Sequence, residues 1–284
     1  MGVLGNSEKA SCAAVVARAA RLIRAAGRRL YSDTVTATLA DLKAVVLPNA
    51  AALSREVDLL LVFGGDGTML RVAREIAGSR TPILGINIGS LGFLTAVPSS
   101  EMVSALNRVW NGDFKFETRT LIHATGTSNG NKIDHAALND IVISRGISPR
   151  LIELDVKVNG EPLTRYRCDG LIINSPTGST AYALAAGGAV AFPTADVMGL
   201  TPICPHTLSN RSLILPLSAT VEVTVVTGKP ATILSADGQV VSELTAGNLV
   251  TVKRSRRAVV LAQLAGSSFS STLRQKLHWR GASL

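Results

Sequence analysis

Residues 59–70 read LLLVFGGDGTML, an apolar run that stops at Gly64-Gly65-Asp66-Gly67-Thr68 and resumes at Met69. A short apolar stretch with no polar alternation is the signature of a strand buried on both faces, as parallel sheets require. The glycine cluster ends it, and Met69 to Ala77 continues with helical spacing. The stretch therefore reads as strand, glycine turn, helix. The same texture extends outward. AVVL at 44–47, VDLLLVF at 57–63 and PILGIN at 82–87 are short buried-strand candidates. EKASCAAVVARAARLIRAAGR at 8–28 places its apolar residues on one helical face with arginines opposite. This alternation predicts an α/β domain built on a parallel sheet.

From about residue 120 the chain changes to short Val-, Ile- and Thr-rich runs: IHATGT, DIVISR, LIELDVKVNG, TRYRCDGLIIN, ATVEVTVVTG, ATILSADGQVV and LVTVKRS. Asn-Gly, Asp-Gly, Thr-Gly and Ala-Gly pairs punctuate them, and Asn159-Gly160 is the clearest hairpin turn. A β-rich, sandwich-like C-terminal domain is expected. The expected division is residues 1–110 for the α/β domain and 111–261 for the β-rich one, with a helix-like tail at 262–284 returning to the first.

A 46% apolar and 17% charged composition over 284 residues supports a sizeable core. No apolar run approaches the roughly 18 residues of a membrane span, and MGVLGNSEKAS lacks a signal-peptide pattern. A soluble, cytoplasmic protein is expected. Cys12, Cys168 and Cys204 are odd in number and widely spaced, which fits reduced thiols. His123, His135, His206 and His278 are scattered, so no metal site built from protein side chains is expected. The net charge of +9 suggests anionic partners. Few aromatic residues are available for base stacking, and the run Lys253-Arg254-Ser255-Arg256-Arg257 reads as a solvated turn rather than a nucleic-acid arm. Neither nucleic acid nor membrane is an expected partner.

Three motifs carry chemistry. GGDGT is neither a Walker loop, since no Gly-Lys-Ser/Thr follows, nor the GxGxxG fingerprint. Its glycines permit positive φ and close approach of a ligand, and Asp66 serves equally as a helix cap or as a base for a hydroxyl attacking phosphorus. The segment DGLIINSPTGSTAY at 169–182 is a strand ending in a hydroxyl-rich loop, after which AYALAAGGA starts a small-residue helix. Its hydroxyls can cap that helix or, with the N–H groups, cradle a phosphate or ribose, and a flat ring could lie on the small residues with Tyr182 stacked upon it. Asn139-Asp140 before IVISR reads as a turn or as a pair recognising a sugar diol or an amino-substituted ring.

In this order the motifs resemble the NAD kinase family, whose members phosphorylate NAD to NADP with ATP or, in some, polyphosphate. The resemblance rests on GGDGT at 64–68, LGFLT at 91–95, Asn139-Asp140, DGLIINSPTGSTAYALAAGG at 169–188, LTPICPHTLSNRSLILP at 200–216 and Asp237-Gly238-Gln239. It covers residues from about 55 to 240. GGDGT alone is shared with lipid kinases and phosphofructokinases, and the TGSTAY segment is far more specific. The resemblance implies that Asp66 is the catalytic base for the 2′-hydroxyl of the adenosine ribose, with Gly67 beside it. Arg71, on the first turn of the helix, and Phe93 match further positions at the NAD site. Asn139, Asp140, Arg150, Arg167 and Asp169 match nucleotide contacts. Thr180, Ala181, Tyr182, Ala183, Leu184 and Ala185 match the lining of adenine and ribose, and Gln239 a late contact. Gly64, Gly65, Gly67 and Thr68 are the expected phosphate and ATP contacts. Mg²⁺ or another divalent metal is expected to arrive with ATP, and a homodimer or homotetramer is implied. A lipid or sugar kinase sharing the GGDGT turn is the competing enzyme, and a non-catalytic nucleotide-binding module the competing class.

Overall fold

The computed structural model describes every residue except 10, 90, 96, 149, 207–209, 227–231 and 280–284. The chain forms two compact units, residues 1–118 with 258–284, and residues 119–257. The first hundred residues alternate β1 (Gly2–Gly5), α1 (Cys12–Ala25), β2 (Tyr31–Asp33), α2 (Thr34–Leu39), β3 (Val45–Leu47), α3 (Ala50–Glu56), β4 (Leu60–Gly64), α4 (Asp66–Glu75), β5 (Ile83–Asn87), β6 (Val97–Pro98) and α5 (Met102–Trp110). There follow β7 (Phe114–Ser128), β8 (Asn131–Ala137), β9 (Asp140–Ser144), β10 (Ile152–Val158), β11 (Glu161–Cys168), β12 (Gly170–Asn174), α6 (Tyr182–Ala185), β13 (Val197–Ile203), β14 (Leu213–Pro216), β15 (Val221–Val225), β16 (Thr232–Ala236), β17 (Gln239–Leu244), β18 (Leu249–Leu264) and α7 (Phe269–Lys276).

In the first unit β3, β2, β1, β4 and β5 pair in parallel, and Leu261 of β18 continues the parallel order beside Ile83. The residues of β4 and β5 are buried throughout, as two-sided coverage by helices demands. MGVLGN, too short to show strand character on its own, supplies the central β1. On α1 the buried positions are Cys12, Val16, Ala19, Ala20 and Ile23, one helical stripe. They pack with Met102, Ala105 and Leu106 of α5 over Val3, Leu61, Phe63, Leu84 and Ile86 of the sheet.

The second unit is two antiparallel sheets around one core. One contains β11, β10, β15 and the first part of β18; the other runs β14-β13-β12-β9-β16-β17. Alternate residues of β10, β15 and β16 face inward, whereas β12 is buried along its whole length. Asn159 and Gly160, both at positive φ, join β10 to β11 in a two-residue hairpin of the I′ kind. Three expectations need correction. The basic run 253–257 is not a turn but the middle of β18, with Ser255 buried and its four cations exposed. TRYRCDGLIIN is two strands in different sheets, broken at Asp169. The helix begun by AYALAAGGA is a single turn, stopped at Gly187, whose φ is +82°. No helix of the described residues is long and apolar enough to cross a membrane, and all three cysteines are free thiols.

Candidate functional site

In the first unit the site begins where β4 ends. Helix α4 starts at Asp66 rather than at Met69, with Gly65 in the N-cap position and no side chain capping it. Asp66 is therefore not the cap. Its carboxylate turns to the loop after β5: Oδ2 accepts the N–H of Phe93 at 2.8 Å, and Oδ1 accepts those of Leu94 and Thr95 at 3.0 and 3.2 Å. The Thr95 hydroxyl reaches the same Oδ1 at 3.3 Å and accepts Asn87 Nδ2 at 2.7 Å, which ties the carboxylate to the end of β5. A side chain at Gly92 would place Cβ 2.0 Å from Asp66 Oδ1, so only glycine lets this loop close around the acid.

The glycines of GGDGT divide into two kinds, and none of the three adopts positive φ. Gly64 packs against Thr68, whose Oγ1 would lie 2.3 Å from a Cβ at 64. Gly64 and Thr68 are buried. Gly65 and Gly67 face open space, leaving the first N–H groups of a ten-residue helix approachable by an anion. Arg71 lies on the second turn and pairs with Glu75 at 2.9 Å. Phe93 is half-buried, tilted against Phe269 at 6.2 Å, with Lys276 Nζ 5.9 Å from its ring centroid.

In the second unit a different carboxylate gathers the expected residues. Asp237, at φ +47° in the β16–β17 turn, accepts the N–H groups of Leu138, Asn139 and Asp140 at 3.0, 2.7 and 3.3 Å. The Asn139 carbonyl accepts the Ser175 N–H at 2.8 Å, and Ser175 Oγ bonds the Leu138 carbonyl. Gly178 lies against the same peptide, since a Cβ there would fall 2.0 Å from the Asn139 carbonyl oxygen. Asn139-Asp140, the SPTGST loop and the Asp237-Gly238 turn thus form one interlocked group. Burial pushes the Asp140 carboxyl up to about 7, and the neighbouring Asp237 carboxylate adds to the rise. The hydroxyls of Ser179 and Thr180 bond back to the carbonyls of Pro176 and Thr177 inside a 3-10 turn instead of capping a helix.

Ala183 is buried with Val142 and Ile172, whereas Tyr182 and Ala185 are exposed and Thr180, Ala181 and Leu184 are half-buried. Asp169 is held by Arg145 at 2.7 Å, a partner that sequence reading did not identify. Arg150, Arg167 and Gln239 are exposed. Burial pushes the Cys168 thiol up to about 12, leaving it unreactive beside Asp169. Sequence reading also missed Thr95, Asn87 and Gly92, which hold Asp66, and Arg119, whose buried guanidinium donates to Thr177 Oγ1 at 3.3 Å. The one available signal was the glycine of LGFLT. Among the described residues no three His, Cys, Asp or Glu side chains gather as a metal site.

Residues 6–114 match the model of the ATP-NAD kinase N-terminal domain, and residues 138–264 that of the ATP-NAD kinase C-terminal domain. An NAD kinase of Methylibium petroleiphilum is 38% identical over 282 residues, spanning 98% of this chain and 93% of its own. An NAD kinase of Geobacter metallireducens is 41% identical over 224 residues, 78% of this chain and 79% of its own. Among solved structures, yeast NADH kinase complexed with NADH superposes with a TM-score of 0.89 at 26% identity, covering 99% of this chain and 88% of that one. These relatives leave the lipid-kinase, sugar-kinase and non-catalytic readings without support. The chain belongs to the ATP-NAD kinase family.

Proposed function

We infer that the chain is an NAD kinase, transferring the γ-phosphoryl group of ATP to the 2′-hydroxyl of the adenosine ribose of NAD and giving NADP. The observation that carries the mechanism is the setting of Asp66: a carboxylate fixed by a loop at the N-terminus of a helix, flanked by glycines that open to solvent. Oδ1 is fully engaged by three donors, whereas Oδ2 has one donor and keeps a lone pair for an incoming hydroxyl. The 2′-oxygen bonds to the γ-phosphorus, the bond from that phosphorus to the β,γ-bridging oxygen breaks, ADP leaves, and the hydroxyl proton passes to Asp66. Such transfers are loose in the transition state, so alignment and charge neutralisation supply most of the acceleration. The N–H groups opening α4 beside Gly65 and Gly67 are suited to hold phosphate oxygens.

The divalent metal, Mg²⁺ by preference, enters as part of the MgATP substrate and neutralises phosphate charge there. Asn139, Asp140, Asp169, Arg150, Arg167, Gln239 and the 180–185 segment serve NAD in this reading, with Arg145 positioning Asp169. A homodimer or homotetramer fits the exposed Leu163, Ile214, Val240 and Leu249 of the β-rich unit, and sedimentation equilibrium tests it. The activity is tested by incubating purified protein with NAD and MgATP and detecting NADP with an NADP-specific dehydrogenase. NADP formation at a rate that scales with protein is expected; no NADP above the protein-free control overturns the reading.

A further inference from the structure

The parallel sheet of the first unit has two ends, and Asp66 stands at one of them. At the other, Gly2 of β1 is in register with Tyr31 of β2 and Leu60 of β4. The length of β4 separates the ends by roughly 13 Å. There, Arg24, Arg28, Arg29 and Lys43 line an open concavity of about 610 Å³, together with Leu30, Tyr31, Ala44 and Val45. Small-molecule sites occupy roughly 300–1,000 Å³. No acidic side chain lines this one.

The backbone beneath the cations is fixed. Gly27, at φ +69°, reverses the chain after α1; its N–H donates to the Arg24 carbonyl at 2.8 Å and that of Arg28 to the Ile23 carbonyl at 3.1 Å. The Arg29 carbonyl accepts the Met1 ammonium at 2.9 Å, the Leu30 carbonyl accepts the Val45 N–H at 3.0 Å, and the Tyr31 N–H donates to Met1 at 3.0 Å. Met1 lies close enough for Arg28 to lower its ammonium pKa, after burial as the main cause, with Asp58 opposing. Among the described residues, none of the four lining cations forms an ion pair.

Like charges collected in this way repel one another, and a bound anion removes the repulsion. The C-terminal dipole of α1 accounts for Arg24 in its last turn but not for Arg29 or Lys43, which stand on other segments. Guanidinium forks match phosphate oxygens two at a time, and three arginines with a lysine suit several phosphates in a row. We propose that this concavity binds a chain of linked phosphate groups at a site separate from the phosphoryl-transfer centre. The shared chemistry has two sources, a nucleoside triphosphate, whose base would rest on Tyr31 and Val45, or inorganic polyphosphate. The proposal does not depend on the NAD kinase reading.

The test is calorimetry of the full chain with inorganic tripolyphosphate and, separately, with ATP, at about 0.1 M salt to suppress long-range attraction. The same titrations are run on the triple variant R28Q/R29Q/K43Q. The expected result is a loss of tripolyphosphate affinity of about tenfold or more in the variant, with NADP formation unchanged. If the source is a nucleotide, the variant also loses one of two ATP sites; if it is polyphosphate, the ATP titration is unaltered. Unchanged tripolyphosphate and ATP binding overturns the proposal. So does a single-stranded RNA that binds the parent chain more tightly than tripolyphosphate and is lost in the variant. Amide chemical shifts give a reading independent of the variant's folding. Tripolyphosphate should move the signals of Arg28 to Tyr31 and of Val45, and their constancy also overturns the assignment.

Discussion

In the first unit the Asp66 carboxylate accepts N–H groups from Phe93, Leu94 and Thr95; in the second the Asp237 carboxylate accepts them from Leu138, Asn139 and Asp140. The same physical device, an acid seated in successive backbone donors of a distant loop, occurs twice. The surroundings differ. Asp66 opens a helix between two glycines that face open space. Asp237 occupies a hairpin turn, and its neighbour is the buried Asp140, whose ionisation it opposes. A nest of donors fixes a carboxylate whatever its purpose. What lies on the carboxylate's free side is what separates the catalytic role proposed for Asp66 from a loop-tying one for Asp237.

The largest effect should come from asking both acids for turnover. D66N removes the proposed proton acceptor and should lower kcat by about 10²- to 10⁴-fold while NAD affinity stays within a small factor. D237N should leave kcat within a few-fold, and both substitutions should lower stability by about 1–3 kcal/mol, because an amide turned toward three N–H donors satisfies fewer of them. Steady-state kinetics and urea unfolding of the two variants decide the matter. Equal losses of turnover would erase the distinction.

Next is a pH dependence confined to the second nest. The Asp140 carboxyl stands at about 7 in the folded chain against 3.8 for an aspartate free in water, so the native state holds a proton that the unfolded chain releases. Its contribution is complete below about pH 4 and is lost as pH rises through about 7, by up to about 4 kcal/mol at 1.36 kcal/mol per unit. Urea midpoints measured from pH 4 to 8 should fall in the parent chain and flatten over that range in D140N. D237A should shift the fall toward lower pH only partly, since burial outweighs the Asp237 charge as the cause. A parent profile as flat as that of D140N would show that Asp140 ionises freely.

The fold class was readable because the sequence carries it locally. Residues 59–63 and 82–87 are apolar without alternation, as two-sided parallel strands are, and Asn159-Gly160 has the residues that a I′ turn selects. LVTVKRS at 249–255 was legible as a strand, but its continuation through Arg256 and Arg257 was not, because Ser255 rather than an apolar residue takes the inward position amid four cations. The grip on Asp66 was equally hidden. Its donors are backbone groups 27 to 29 positions away, and a backbone N–H leaves no mark in a sequence. Even the start of α4 moved three residues forward from Met69, since Asp66 and Gly67, poor residues inside a helix, are tolerated in a first turn.

The smallest effect tests how far along α4 the catalytic arrangement reaches. Arg71 matches a nucleotide position by resemblance, yet its guanidinium is drawn to Glu75 one turn on, with both side chains substantially exposed. An exposed i,i+4 pair contributes about 0.3–0.5 kcal/mol, so R71A and E75A should each shift stability by no more than that. A contact with NAD would appear on another axis: R71A would raise KM for NAD with kcat intact, whereas E75A would free the guanidinium and leave KM unchanged or lower it. Equal and negligible KM changes in both variants would confine the arrangement to the first turn of α4 and the loop that holds Asp66. A rise in R71A alone would carry it one turn further, on the side of the comparison where Asp237 has no counterpart, because its hairpin offers no helix to extend along.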